Sequence, residues 1–152
     1  MNEWGKAIES ALREAVPAEN GAVLFELLEA ADVLHGRIDA ALGRVGLSYP
    51  KYEVLHYLRN ARDPLSLGKL AECQHCARSN ITQLVDRLEG EGLVRRTDDP
   101  ADRRSVLAEL TPEGARLADE GAAQVEEVRA QFAASYSVAD RAVLARLLSG
   151  IQ

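Results

Sequence analysis

The sequence predicts a mainly α protein with one small β-hairpin. Most of the chain carries apolar residues three and four positions apart, which is the period of an amphipathic helix. Only the stretch 92–110 alternates apolar and polar residues, and the turn-forming run DDPADRR interrupts it. The longest apolar runs fall short of about 18 residues, so we expect no membrane-spanning helix. With 152 residues, 47% of them hydrophobic and 28% charged, the composition is typical of one globular domain.

The N-terminal part is predicted to be helical. An apolar stripe that ends before Pro17 predicts a short helix, and its members are Trp4, Ile8, Leu12 and Val16. Residues 21–45 are predicted to form a long amphipathic helix that ends at Gly46. Ser48 is expected to cap the next helix, because Pro50 then falls in its first turn. The core-facing positions of that helix are Tyr52, Leu55 and Leu58.

Two short helices and a hairpin follow. After a turn and a very short extended piece, helices are predicted over 67–74 and 77–90. The second has core spacing at Ile81, Leu84, Val85 and Leu88. Residues 92–97 and 105–110 are then the strands of a hairpin, whose tip is too long for a two-residue turn. Two short helices joined by a tight turn and followed by a hairpin match a winged helix-turn-helix.

The C-terminal region returns to the helical period. Thr111 is expected to cap a helix over 112–134 with Pro112 as its first residue, and another helix is predicted over 138–148. The helices at both ends carry more apolar surface than so small a core can cover, which predicts a dimer. We expect a single domain over 1–152, with 1–46 and 112–152 as dimerisation helices and 47–111 as the winged helix-turn-helix.

The predicted recognition helix, 77–90, carries polar side chains off its core face. A formal net charge of −6 argues against general affinity for nucleic acid, but a local patch can override the average. Arginine reads guanine, and asparagine or glutamine reads adenine, in the major groove. We expect base contacts from Arg78, Asn80, Thr82 and Gln83, and contacts to the DNA backbone from Lys69, Ser79 and Arg87.

The hairpin gathers four arginines among three aspartates. Arg103 or Arg104 at the tip can reach into a narrow A·T-rich minor groove, where the negative potential is concentrated. Arg95 and Arg96 at the base are expected near a phosphate strand. The alternative is a solvated turn whose arginines and aspartates pair with one another, as surface charges commonly do.

From about Leu47 to Gly114 the chain resembles the MarR family of bacterial transcriptional regulators. The resemblance is carried by LGKLAE, by ARSNITQLVDRLEGEGLVRR and by DDPADRRSVLAELTPEG. The last of these places Asp102, Arg104, Leu110 and Thr111 in the spacing D-x-R-x5-L-T of the family's wing.

This resemblance implies a homodimer with interlocking terminal helices, bound to a near-palindromic operator in double-stranded DNA. It also implies that Arg104 is the residue that enters the minor groove and that Asp102 orients it through a charge-assisted hydrogen bond. The function expected from this resemblance is that of a repressor that a small-molecule effector releases from DNA.

The effector would be aromatic or anionic and would bind between the dimer helices and the DNA-binding lobe. Tyr49, Tyr52 and His56 share one helix face opposite the region of His35 and Arg37, and could form that pocket. The alternative is that the rings of these tyrosines and histidines pack in the protein while their polar atoms are exposed to water.

The turn before the recognition helix departs from the family pattern of leucine, glycine and an aliphatic residue. This chain has Gln74, His75 and Cys76 there, and Cys76 can fill the aliphatic position. Cys73 and Cys76 leave open a thiol switch that strains the turn, which would make the protein a redox-sensing regulator. A closed metal site needs about four ligands, so we expect no metal. Two cysteines in such a chain indicate a reducing, cytoplasmic location.

Signatures of catalysis are absent from the sequence. It contains no G-x-x-x-x-G-K-[ST], H-E-x-x-H or G-x-S-x-G motif, so we expect neither catalytic residues nor a cofactor. One non-enzymatic alternative stays open, a winged-helix module that binds proteins and has lost DNA binding. Steep salt dependence of binding to duplex DNA would distinguish the regulator from such a module.

Overall fold

The computed structural model describes residues 22–74, 77–102 and 105–151. Within them the elements, in chain order, are α1 (Ala22–Gly43), α2 (Tyr49–Asn60), β1 (Leu65–Ser66), α3 (Leu67–Cys73), α4 (Arg78–Gly90), β2 (Val94–Asp98), β3 (Val106–Leu110), α5 (Pro112–Ala134) and α6 (Val138–Leu148). A 3-10 turn over Ser149–Ile151 follows. The predicted class is confirmed: the chain is mainly α with one small antiparallel sheet. The helix predicted from Trp4 to Val16 lies outside the described residues.

Glycine and capping residues end and start the helices close to where the sequence places them. Helix α1 ends at Gly43, two residues before the predicted end, and the chain then turns at Gly46, which has a φ of 76°. That left-handed conformation favours glycine because it has no Cβ. Ser48 occupies the N-cap position of α2 as predicted, but its side chain makes no capping hydrogen bond. Asp39 of α1 supplies the acceptor instead, since the Tyr49 amide donates to Asp39 Oδ1 over 2.8 Å.

The described residues divide into two compact units, one ending at Arg37 and the other beginning at Ile38. In the first unit the large apolar side chains of Val23, Leu24, Leu28 and Val33 are exposed. The second unit has one continuous hydrophobic core. Its most deeply buried side chains are Leu42, Val54, Leu55, Leu70, Ile81, Val85, Leu88 and Val94.

The three strands form an antiparallel sheet in the order β1-β3-β2. The hairpin pairs β2 with β3, with Arg95 opposite Glu109 and Arg96 opposite Ala108. The short extended piece before α3 pairs with the other edge of β3, where Leu65 lies opposite Ala108. The base of the hairpin is therefore joined to the start of α3 by a third strand, and the wing and the two short helices are one structure.

Candidate nucleic-acid interface

Helices α3 and α4 form the helix-turn-helix, and α2 holds the end of α3 in place. Ser66 Oγ caps α3 by accepting the Lys69 amide over 3.2 Å. At the other end, the Tyr57 hydroxyl donates to the Cys73 carbonyl over 3.1 Å, and Gln74 Nε2 donates to the Pro50 carbonyl over 3.0 Å. The last carbonyls of a helix lack intrahelical partners, so the Tyr57 hydroxyl satisfies one of them at the end of α3. The Gln74 amide in turn ties the start of the turn to α2.

A Tyr57→Phe variant is expected to lose about 1 kcal/mol of the free energy of unfolding, because the half-buried Cys73 carbonyl loses this donor. Burial raises the pKa of Tyr57 and the Glu53 carboxylate raises it further, so the hydroxyl stays protonated and able to donate. Urea unfolding at fixed protein concentration measures the change. The control is Tyr136→Phe, whose ring is exposed and which should change the free energy by less than about 0.5 kcal/mol. Equal changes in both variants would contradict the assigned role.

Helix α4 has a buried face and a polar exposed face. Ile81, Val85 and Leu88 are fully buried, as the apolar spacing predicts, and Leu84 is half-buried. The predicted DNA-contact residues with exposed side chains on this helix are Ser79, Asn80, Thr82, Gln83 and Arg87. Arg78 begins the helix. The core contacts therefore fix the helix while its polar face remains available to a ligand.

An open groove of about 400 Å³ runs beside α4. Asn80, Gln83 and Arg87 line it from α4, and Pro50, Glu53 and Gln74 line it from α2 and the turn. Three of the predicted contact residues therefore lie along one continuous concave surface. Lys69 is exposed on the neighbouring α3, where its Nζ lies 3.3 Å from Glu72 Oε2.

Two arginines at the base of the wing are ion-paired. Arg95 Nε lies 2.7 Å from Glu109 Oε1 on the opposite strand. Arg96 turns toward α4, where its guanidinium contacts the carboxylates of Asp86 and Glu89 and the Thr82 carbonyl. The sequence pattern predicted phosphate contacts for both arginines and did not reveal these partners. Asp86 and Glu89 lie four and seven positions after Thr82, on one side of α4, and that spacing was the available signal.

The tip of the wing is closed by short-range hydrogen bonds. Asp99 Oδ1 accepts the Ala101 amide over 2.8 Å, and the Ser105 amide donates to the Asp102 carbonyl over 2.8 Å. Asp102 is exposed at this tip. Arg103 and Arg104, the predicted minor-groove residues, lie outside the described residues, so their contacts stay predictions.

The sequence model of the MarR family matches residues 47–106, which is the helix-turn-helix with most of the wing. The uncharacterised HTH-type transcriptional regulator YsmB of Bacillus subtilis is 31% identical over 111 residues, which span 73% of this chain and 75% of YsmB. The chain belongs to the MarR family. It is a winged helix-turn-helix, DNA-binding transcriptional regulator.

The proteins similar to this MarR-family chain include a repressor and a regulator with a bound ligand. The HTH-type transcriptional repressor YetL of Bacillus subtilis is 40% identical over 74 residues, which span 47% of this chain and 44% of YetL. The crystal structure of CouR from Rhodococcus jostii RHA1, bound to p-coumaroyl-CoA, has 29% identity and a TM-score of 0.75. That match covers 90% of this chain and 95% of CouR.

The structure brings together part of the predicted effector pocket. Tyr52 Oη lies 3.3 Å from His56 Nδ1, and their rings are 5.3 Å apart. Tyr52 is buried, Tyr49 is half-buried, and burial raises the pKa of both phenols. His35 and Arg37 belong to the first unit of this MarR-family chain, and both side chains are exposed. The effector site stays a prediction.

The predicted thiol pair is described only in part. Cys73 is a free, half-buried cysteine at the end of α3, and Cys76 lies outside the described residues. In the described part of the chain, His, Cys, Asp and Glu side chains form no group of three or more that could hold a metal ion. Over the same residues, no helix combines the length and the apolar character needed to cross a membrane.

Proposed function

We propose that this MarR-family regulator is a homodimeric repressor that binds a near-palindromic operator and is released from it by a small-molecule effector. The observation that carries the proposal is the polar exposed face of α4, which lies on a helix whose opposite face is fixed in the core. A helix held in this way can enter the major groove without losing its orientation. Gln83 and Asn80 can then bond adenine, and Arg78 can bond guanine.

The wing is proposed to contact the adjacent minor groove. The assignment of Arg104 to the groove and of Asp102 to its orientation rests on the spacing D-x-R-x5-L-T. Lys69, Ser79 and Arg87 are proposed to bind phosphates, because their side chains are exposed on the same two helices. Arg103 is kept as the alternative to Arg104 for the minor groove, and Arg95 is proposed to lie near a phosphate strand.

Exposed apolar side chains support a dimer formed through the terminal helices. Val138, Val143, Leu147 and Ile151 are exposed on α6 and the turn after it, and four large apolar residues of the first unit are exposed as well. Residues 1–46 and 112–152 are therefore proposed as the dimerisation segments and 47–111 as the DNA-binding part. Two-fold symmetry would place two recognition helices about 34 Å apart, in successive major grooves.

An effector is proposed to shift the dimer toward a spacing of the recognition helices that no longer fits the operator. The similarity to CouR supports a ligand with an aromatic acyl group, and the tyrosines at 49 and 52 with His56 suit an aromatic ligand. Repression is supported by the similarity to YetL. Because the sequence lacks the catalytic motifs named above, the protein is proposed to have no enzymatic activity. Its two cysteines support a proposed place in the cytoplasm.

Selection from a random duplex pool, followed by anisotropy titration of the enriched site at several salt concentrations, tests the proposal. We expect an inverted repeat with half-sites one turn apart. Arg104→Ala should weaken binding to it and lower the slope of log affinity against log salt by about 1. The matched control is Arg116→Ala, an arginine on α5 that pairs with Glu113 and Glu120. Failure to enrich any site, or a shallow salt slope for the wild type, would favour the protein-interaction module.

A Gln83→Ala variant is expected to relax base choice at one position in each half-site. Loss of a bidentate contact to one base should cost about 1–3 kcal/mol of discrimination there and leave other positions unchanged. Competition titrations with operators substituted one base pair at a time measure this. Gln131→Ala, on the exposed side of α5, is the control. A uniform loss of affinity across all operators would show that Gln83 does not read a base.

A further inference from the structure

Arg96 lies between the wing and the recognition helix. Its Nη1 is 2.5 Å from Asp86 Oδ1 and 3.6 Å from Glu89 Oε2, and its Nη2 donates to the Thr82 carbonyl over 3.1 Å. Its backbone amide donates to Glu89 Oε1 over 3.2 Å. Strand β2 is thereby joined to three positions along one side of α4.

The donors of this guanidinium are turned away from solvent. The Arg96 side chain is 25% exposed, whereas that of Arg95 is 66% exposed, and Arg96 Nε is shielded from solvent altogether. A guanidinium that reached a phosphate would have to leave two carboxylates and a backbone carbonyl. The geometry therefore argues against the phosphate contact that the sequence predicts for Arg96.

The two carboxylates that pair with Arg96 would by themselves oppose DNA binding. Asp86 and Glu89 are acidic residues on the same helix as Gln83 and Arg87, and their side chains are 54% and 42% exposed. Carboxylates close to a phosphate backbone repel it, because like charges interact unfavourably over the Debye length of about 10 Å. An arginine that contacts both of them offsets one of their two negative charges.

We propose that Arg96 is a positioning residue that supports DNA binding through α4, by offsetting part of the negative charge of Asp86 and Glu89 and by holding β2 against the helix, and that it does not contact DNA. This inference rests on the proposed function, since it concerns how the protein binds its operator. It predicts that the damage from removing Arg96 depends on the two carboxylates. A direct phosphate contact would be lost to the same extent whether or not they are charged.

A double-mutant cycle on the full chain tests the inference. Operator affinity is measured by anisotropy for the wild type, Arg96→Gln, the pair Asp86→Asn with Glu89→Gln, and the combination of all three substitutions. Arg96→Gln should weaken binding about tenfold or more in the wild-type background. It should cost less than about threefold in the background that lacks both carboxylates. The salt slope of the combined variant should equal that of the wild type.

Several outcomes overturn the inference or separate its failure from that of the proposed function. If Arg96→Gln costs the same factor in both backgrounds, Arg96 binds DNA directly and the inference is wrong. A small effect in the wild-type background also contradicts it. All proteins are assayed at a temperature at which circular dichroism shows each to be folded. Arg116→Gln, which also removes an arginine paired with two carboxylates, serves as the matched control and should leave operator affinity unchanged. If the wild type itself selects no duplex site, the proposed function fails instead.

Discussion

A Gly114→Ala variant is expected to lose about 3 kcal/mol of the free energy of unfolding. Gly114 is buried in the first turn of α5, and a Cβ placed there would lie 1.9 Å from the Leu93 carbonyl oxygen. The obstacle is backbone, so no side-chain rotation can relieve the overlap. The chain would have to separate the start of α5 from the segment that follows the recognition helix.

That separation would break a set of hydrogen bonds at one joint. The Leu93 carbonyl accepts the Thr111 amide over 3.1 Å, and Thr111 Oγ1 donates to the Gly92 carbonyl over 2.8 Å. Thr111 Oγ1 also accepts the Gly114 amide over 3.0 Å, so the cap of α5 is part of the same joint. Gly92 and Leu93, which follow α4, are thus fixed to Thr111 at the start of α5.

Urea unfolding at fixed protein concentration measures the loss, because the apparent stability of a dimer depends on concentration. Gly90→Ala is the control, since a Cβ at the last residue of α4 would meet open space. This control should change the free energy of unfolding by less than about 1 kcal/mol. The change should be stabilising where the higher helix propensity of alanine dominates. Similar losses in both variants would show that the close approach of Gly114 to Leu93 is not what matters.

Local signals were enough to predict the architecture. Apolar spacing with Thr111 and Pro112 placed the start of α5, and the alternation around 98–104 placed the wing. These signals act within a few residues, where the chain's own periodicity and capping chemistry decide the structure. The end of α1 at Gly43 was missed by two residues, because the apolar pattern continues to Val45 while the backbone already turns toward Gly46.

Contacts between distant segments could not be predicted in the same way. Asp39 caps α2 from α1, and Leu65 adds a third strand beside Ala108. Neither has a signature in the residues nearby. Arg96 shows the consequence for the candidate site. From the sequence, an arginine in a wing is expected to bind phosphate, but in the folded chain Asp86 lies next to it and binds its guanidinium. The sequence indicates which residues can bind DNA, and tertiary packing determines which of them are already paired with other side chains of the protein.

A Leu147→Glu variant is expected to raise the dimer dissociation constant by more than about 100-fold. Leu147 is 58% exposed on α6, in a stripe with Val143 and Ile151 at intervals of four residues. Covering a leucine in an interface stabilises it by about 1.5–3 kcal/mol, and a two-fold axis makes every substitution count twice. A carboxylate at this position would in addition have to be desolvated or repel the copy across the axis.

Sedimentation equilibrium over a range of concentrations measures the dissociation constant, and operator titrations measure the consequence for binding. Ala145→Glu introduces the same charge on the same helix, about 160° around it from Leu147, and should leave both unchanged. A monomer carries one recognition helix and loses the high effective concentration that the first bound half-site gives the second. Leu147→Glu should therefore abolish preference for the inverted repeat over a single half-site. If it sediments as the wild type does, the exposed stripe on α6 is not the dimer interface, and the pairing of half-sites must come from another surface.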